Sequence, residues 1–375
     1  MTTTAPAGAQ WAKFGDTYYT WAADAAARAR PLAVVTQVGR SFQHEHPEVE
    51  VLADHGRYLV VAAAEVPAGT DHTCWRSSEL VPGAVVFERA EADPEVPDPQ
   101  VAALLATLSR TDYDAVLARV LAPPTRHSHS TEFVAIATEL GEHLTGLGYD
   151  VTDEAIVVQG RPSRNVVARK PGTDGAPELV YVTAHLDSIN LAGGPQAPAP
   201  GADDNGSGTA GVLELARVLA AKAWRNDLVL ILFGGEEQGL FGSTAHVAAL
   251  DERDRNRVRI VVNMDMIART NTPDRGVLIE AAPESGPLID ELVAAAATYT
   301  GLTVSRSLDP FGSDHLPFIA AGLPALLTIE ANDRANADVH TSGDVAATLD
   351  TGLALDILRM NLAVLVRHLD RKERL

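Results

Sequence analysis

A chain of 375 residues with 46% hydrophobic content has ample core for one large α/β unit with additions, or for two to three domains. A formal charge of −20 without any basic run excludes a general nucleic-acid binder. The single cysteine, Cys74, excludes an internal disulfide and fits a cytoplasmic protein, while the lack of a signal-like leader or an apolar run near 18 residues leaves membrane insertion without support.

From Tyr18 to about Arg30 the alanine-rich stretch WAADAAARAR predicts a short helix stopped by Pro31. Strands are expected at PLAVVTQV from Pro31, at RYLVVAAAEV from Arg57 and at GAVVFER from Gly83, with a helix at VAALLATLSR from Val101. This amino-terminal third carries no recurring chemical motif. It reads as a small α/β accessory region, or as a lid or substrate selector that packs near the crevice of the rest. Pro123 and Pro124 give the boundary, so that 1–122 form the accessory region and 123–375 the catalytic unit.

Beyond Thr131, EFVAIATELGEHLTGLGYDV predicts an amphipathic helix leading into a strand, and SRNVVARKPG a second strand. ELVYVTAHLD, LVLILFGGEE and VRIVVNMDM are apolar runs with no polar alternation, as in strands buried on both faces of a parallel sheet. TAGVLELARVLAAKA predicts a helix beginning at or near Asp204, and INLAGGPQAPAP a Gly/Pro-rich connection that helps wall a crevice. A strand at GVLIEAA, a helix from Pro287 to about Thr300, a strand near LTVSRS, a short helix after DPFGSDH, the strand PALLTIE and a long closing helix complete the chain. This alternation gives an α/β class with a mostly parallel sheet.

The chemistry gathers where these runs stop. Open α/β sheets place their sites beyond the carboxyl ends of the strands, and here those ends deliver His185 and Asp187, Glu236 and Glu237, and Asp265. GADDNGSG adds Asp204. Imidazole and carboxylate are zinc ligands, and Asp187 stands where it can accept a hydrogen bond from the second ring nitrogen of His185. Alone, HxD is also an ordinary strand-end turn, and Asp-Asn-Gly-Ser is ordinary capping chemistry. The adjacent glutamates weigh more, because two buried carboxylates repel and desolvate each other unless cations or protons compensate. His127 and His129 in a serine-rich loop read as packing. Ser313, Asp314 and His315 are neighbours on one short segment, which rarely provides triad geometry.

HLDS, GADDNGSG, GGEEQGLFGS, NMDM, SDH and VHTSGD, in this order, resemble the signature of the di-zinc aminopeptidases of the M28 metallopeptidase family. The resemblance spans roughly residues 123 to 370 and implies a three-layer α/β/α sandwich, with the amino-terminal α/β extension outside it. It implies two zinc ions held by His185, Asp204, Glu237, Asp265 and His340, with Asp204 bridging, His185 and Asp265 completing one site, and Glu237 and His340 the other. Glu236 is then the general base, with Asp187 as the partner of His185. The implied substrate is a peptide or small amino-acyl compound with a free amino terminus. Glutaminyl cyclases resemble the same family and use one zinc, and some homologues bind without catalysis; these are the alternatives. The loop at Phe311 to Asp314 lies where the family forms its substrate pocket but lacks the cysteine pair of secreted members.

Overall fold

The computed structural model describes residues 9–22, 31–66 and 75–371. β1 (Gln10–Phe14) and β2 (Thr17–Trp21) form a hairpin in which Phe14 pairs with Thr17, leaving Gly15 (φ 60°) and Asp16 as the turn. The helix expected from Tyr18 is therefore replaced by strand as far as Trp21, because the aromatic and β-branched residues of TYYTW suit a pleated surface. Residues 23–30 of that expectation, and Cys74, lie outside the described residues. β3 (Leu32–Gln37), α1 (Ser41–Glu45), β4 (Val51–His55), β5 (Tyr58–Ala62) and β6 (Trp75–Glu79) follow, the strands making an antiparallel sheet in the order β4-β5-β3-β6. The expected strands at Pro31 and Arg57 are β3 and β5, and that at Gly83 is β7 (Val85–Ala90).

α2 (Pro99–Leu105) is capped by Asp98 and α3 (Arg110–Val120) by Ser109, each side chain accepting backbone N–H groups of the first turn. Both helices bury apolar side chains, Val101, Tyr113 and Val120 among them, in the main core. The remainder alternates as the sequence pattern requires: α4 (Thr131–Gly146), β8 (Asp150–Val158), β9 (Arg161–Lys170), β10 (Leu179–His185), α5 (Gly208–Ala220), β11 (Asp227–Phe233), α6 (Phe241–Ala249), α7 (Glu252–Arg255) and β12 (Val258–Met264). Then come β13 (Gly276–Ala281), α8 (Gly286–Tyr299), β14 (Thr303–Ser307), α9 (His315–Ala320), β15 (Ala325–Glu330) and α10 (Thr351–Asp370).

One 11-stranded sheet runs β2-β1-β7-β14-β13-β15-β12-β10-β11-β9-β8. Its centre, β15-β12-β10-β11, is parallel, and antiparallel pairing enters at β9 and β13 on either side. Every residue of β10 and β12 is buried. Successive residues go to opposite faces: Val180 and Val182 join the core under α5 and α10, whereas Leu179 and Tyr181 join the one under α6 and α9. Helices therefore cover both faces, which makes the three layers. Truncating one such side chain, for example Leu230→Ala, costs about 2–5 kcal/mol.

The strand β7 hydrogen-bonds to β14, so the amino-terminal strands β1, β2 and β7 extend the central sheet. The smaller sheet is fastened to it by a shared core that includes Phe14, Val34, Tyr58 and Val86.

Candidate metal centre

The carboxyl ends of the parallel strands converge as expected. β10 ends on His185, β11 ends just before Gly234, Gly235 and the two glutamates, and β12 ends just before Asp265. Gly235 has φ 73°, a left-handed turn that swings the chain from strand into crevice and that a Cβ would crowd against Val158 at 2.6 Å. The segment 201–207 behaves differently from expectation, because α5 starts at Gly208 and not near Asp204. Asp204 (φ −102°, ψ 94°) and Asn205 (φ −124°, ψ 48°) are non-helical, and Asn205 Oδ1 instead accepts the N–H of Gly208 at 2.9 Å. That break turns the Asp204 carboxylate into the crevice.

The two oxygens of Asp204 face different partners. Oδ1 lies 3.3 Å from His185 Nε2, which is also 3.3 Å from Asp265 Oδ1. Oδ2 lies 3.1 Å from His340 Nε2, which is 2.9 Å from Glu237 Oε2. Ligand atoms of His185, Glu236 and Asp265 lie within 4.8 Å of one another, and so do those of His185, Asp204 and Glu237. All seven residues singled out from the sequence are thus in one crevice or, for Asp187, directly beneath it. A tetrahedral zinc with ligands at about 2.0–2.1 Å has ligand-to-ligand edges of about 3.3 Å, close to the spacings seen here. The buried Glu237 Oε1 has no hydrogen-bond partner, which a cation would supply. The residues present fit two metal ions, and together they form a binuclear metal-binding cluster suited to zinc.

Electrostatics agree. Burial pushes the Glu236 carboxyl well above its ordinary range, helped by Asp314, Asp265 and Glu237 and opposed by His185. Burial likewise pushes Glu237 up to about 7 against the pull of His340. Burial alone would lower His185 and His340, yet Asp265 and Glu236 around the first and Glu237 and Asp204 around the second raise both well above the usual imidazole range. Asp204 is held below the usual carboxylate range despite burial, by both histidines. Without metal, the imidazoles are, among the described residues, the only cations offsetting five carboxylates at such short range.

Supporting contacts fix these side chains. The His185 Nδ1 faces the backbone carbonyl of Asp187 at 3.1 Å, whereas the Asp187 carboxylate is 3.7 Å away. That carboxylate instead accepts the backbone N–H groups of Glu236 and Glu237, each at 3.3 Å. Asp187 therefore orients the ring through its main chain and the glutamate turn through its side chain. Thr183 Oγ1 donates to Asn263 (2.7 Å), Asn263 Nδ2 to Ser313 Oγ (2.8 Å), and Ser313 Oγ to Asp265 Oδ2 (2.6 Å). His340 has φ 59°, a left-handed conformation uncommon for a non-glycine residue and typical of strained functional positions.

Two members of this scaffold, Asp344 and Arg126, were not singled out from the sequence. Asp344 accepts N–H groups of Asp203 and Asp204 at 3.0 Å each and so holds the loop that carries Asp204. The buried Arg126 donates to the carbonyls of Leu186 and Gly201, both at 2.8 Å, and burial lowers its guanidinium to about 10. Asp344 stands in the VHTSGD motif; Arg126, next to the discounted histidines, does not stand out. His127 and His129 stay outside the cluster, with His129 Nε2 on the carbonyl of Val158 at 2.9 Å. Phe311 is buried beneath the amino-terminal cations, 5.9 Å from Arg57 and 5.2 Å from Arg76, while Gly312 lines the crevice. Leu191, from the Gly/Pro-rich connection, bonds the carbonyl of His340 at 3.1 Å.

The family model described as Peptidase family M28 matches residues 165–365, more than half of the chain. The chain belongs to the M28 family. Its M28 segment contains all seven site residues. Aminopeptidase YwaD of Bacillus subtilis (strain 168) is 35% identical over 192 residues, 51% of this chain and 40% of that protein, so the match spans less than half of the relative. The Legionella pneumophila LapA aminopeptidase shares the fold over 92% of this chain and 99% of its own, with a TM-score of 0.67 at 18% identity. A Bacteroides thetaiotaomicron glutaminyl cyclase shares it over 69% of this chain and 98% of its own, with a TM-score of 0.56 at 17% identity. An aminopeptidase and a cyclase thus occupy one fold, and the M28 site residues must decide between reactions. No helix among the described residues is long and apolar enough to cross a membrane.

Proposed function

We propose that this chain is a two-zinc aminopeptidase that hydrolyses the amino-terminal peptide bond of peptides with a free α-amine. The observation that carries this reading is the division of Asp204, one oxygen toward His185 and Asp265 and the other toward His340 and Glu237. A single-zinc cyclase has no use for a shared carboxylate with a complete ligand pair on either side. In this reading Asp204 would be shared by the two ions, His185 and Asp265 would hold one, and His340 and Glu237 the other. Zinc bound there supplies Lewis-acid polarisation of a carbonyl and acidifies a water near neutral pH.

The chain's own residues do the rest. Glu236, at the apolar strand end, takes the proton of the attacking water and returns it to the leaving amine, for which a carboxyl raised toward neutrality is suited. The Asp187 carboxylate, accepting the backbone N–H groups of Glu236 and Glu237, fixes their turn, so that the adjacent side chains diverge, Glu236 toward the reacting water and Glu237 toward the ligand set. Ser313 and Asn263 hold Asp265 in place. The carboxylates that line the crevice favour a substrate ammonium group. A second reading, in which Glu236 is itself a ligand, is favoured by the grouping of its carboxylate with His185 and Asp265.

We further propose 123–375 as the catalytic unit and 1–122 as an addition to its crevice, and place the protein in the cytoplasm, where a single cysteine stays reduced. Zinc analysis with peptide assays tests the activity. Two equivalents of zinc and release of the amino-terminal residue, abolished by a chelator, are expected. One tightly held metal with cyclisation of amino-terminal glutamine overturns the reading for the cyclase, and an inactive metal-free protein with an intact fold overturns it for a binding module.

A further inference from the structure

A second cavity lies where the amino-terminal sheet meets the central one, and none of the seven crevice residues lines it. Its volume is about 360 Å³, within the range of small-molecule sites. β5 contributes Tyr58, β7 Phe87, β13 Leu278 and β14 Ser305, and the turn at His55 to Arg57 and the loop at Ala331 to Asp333 complete the lining. Asn332 is exposed and Thr272, Ser305 and Phe87 are half-buried, so the cavity opens to solvent.

The lining combines buried charge with aromatic surface. Arg57 supplies the positive charge, standing between Asp333 (3.3 Å) and Glu280 (3.6 Å) and donating to the carbonyl of Phe311 (2.6 Å). Glu280 also accepts the Tyr58 hydroxyl (2.7 Å) and the Phe311 N–H (3.2 Å). Asp333 is less well served. It has no exposed surface, and while its Oδ2 faces Arg57, its Oδ1 has no hydrogen-bond partner among the described residues. Burial pushes its carboxyl up to about 6 against the pull of Arg57 and the Gly39 N–H, which leaves it ionised at pH 7.5. His55 Nε2 is likewise without a partner, and burial lowers this imidazole against the pull of Asp54, so the ring adds no second cation. Two carboxylates against one guanidinium leave a buried negative charge without compensation, an unfavourable state that a cation would relieve. Beside it the Tyr58 and Phe87 rings stack with centroids 5.1 Å apart, and Leu278 adds aliphatic surface.

We propose that this cavity binds a small organic ammonium ion with an aromatic body, its N–H groups on Asp333 and His55 and its ring against Tyr58 and Phe87. The site is separate from the reaction at the metals and does not depend on it. An ammonium brings both the positive charge and the donors that the lining lacks, and a charge-assisted bond to a carboxylate is roughly twice as strong as a neutral one. Aromatic faces attract the cation as well as the ring it carries. An anion would add to the excess charge, and a purely apolar ligand would leave both polar atoms without partners.

The test titrates the zinc-loaded full chain at pH 7.5 with benzylamine and with benzyl alcohol, a neutral molecule of nearly the same shape, and follows the heat of binding. Benzylamine is expected to bind with Kd at or below about 1 mM, and benzyl alcohol at least about tenfold more weakly. Asp333→Asn should remove that preference, and Ser305→Phe, which fills the cavity from β14, should abolish the binding of both. No saturable binding below about 10 mM means that the cavity holds water alone and overturns the proposal. So does benzyl alcohol bound as tightly as benzylamine, or benzylamine binding that survives Ser305→Phe, which would put the amine elsewhere, the metal crevice included. Should Asp333→Asn fail to fold, the unaltered chain decides: magnetisation transfer from the benzylamine ring to Phe87 and Leu278 supports the site, and its absence in the bound state overturns it.

Discussion

The two ends of the central sheet carry very different concavities. At the amino ends of β12 and β15 lies an open groove of about 760 Å³, lined by Val258, Arg259, Glu284, Pro324 and His368 among others. Its charges are matched: Arg259 pairs with Glu178, and His368 Nε2 lies 2.9 Å from Glu291. At the carboxyl ends the cavity is only about 20 Å³, yet carboxylates crowd there with two imidazoles as their only short-range cations among the described residues. Volume points to the first place and uncompensated buried charge to the second. The comparison teaches that a metal site is recognised by the charge it lacks, since leaving such carboxylates buried without cations costs far more than leaving a groove empty.

The sharpest way to break this comparison is at the paired glutamates. Glu236→Gln keeps size and hydrogen bonding but removes the proton acceptor, so turnover should fall by roughly 10²- to 10⁴-fold with both zincs retained and a smaller change in KM. Glu237→Gln should lower zinc content as well as rate. Zinc analysis beside kinetics separates them; metal loss in the first and not in the second would exchange the two roles. Next in size is the supporting chain. Ser313→Ala frees Asp265 Oδ2 from its 2.6 Å donor, and zinc affinity in competition with a chelator should weaken about 10- to 100-fold.

Protonation offers a third test, on stability. In the metal-free protein, Glu237 and Asp314 titrate near 7, pushed up chiefly by burial, and His185 and His340 are raised by their carboxylates. Each group then binds protons in the folded state that the unfolded chain has released. Their contribution is full below the unfolded pKa values and is lost as pH rises through the folded ones. The chelated protein should therefore melt lower at pH 7.5 than at pH 5, by an amount on the order of 5 °C. Asp204, shifted the other way, acts only at more acidic pH. Zinc requires deprotonated ligands, so zinc-loaded protein should show the opposite slope over the same range, and parallel slopes would mean that the crevice does not hold the metal. The smallest effect belongs to the groove at the other end. Glu284→Gln, at an exposed position, should leave activity unchanged and stability within about 0.5 kcal/mol; a marked loss of turnover would make the groove part of the site.

Much of this was legible in the sequence, for a physical reason that differs by element. Apolar runs such as Leu228–Phe233 report burial on both faces, and where such a run stops on Gly-Gly-Glu-Glu the chain must turn with charges at a buried edge. Strand, strand end and the identity of Glu236 and Glu237 follow from local composition. The same holds for the helix that Ser130 caps, whereas one helix read through VAALLATLSR from Val101 missed the break at Ser109, whose side chain caps a second helix, α3. The reading failed where alanine was weighed above strand formers and where a distant partner acted: TYYTW, rich in strand formers, pairs with β1, and α5 waits until Gly208 because Asp344, 140 residues away from Asp204, captures the backbone of the loop that carries it. Only the tertiary structure decided that Asp187 faces the glutamate turn with its side chain and His185 with its carbonyl, and that Arg126 holds the loop from beneath. The place of Val38 in the wall of the crevice is of the same kind. It depends on Arg57 meeting Glu280 and Asp333 across more than 200 residues, and a contact at that separation leaves no periodicity in the chain from which it could be read.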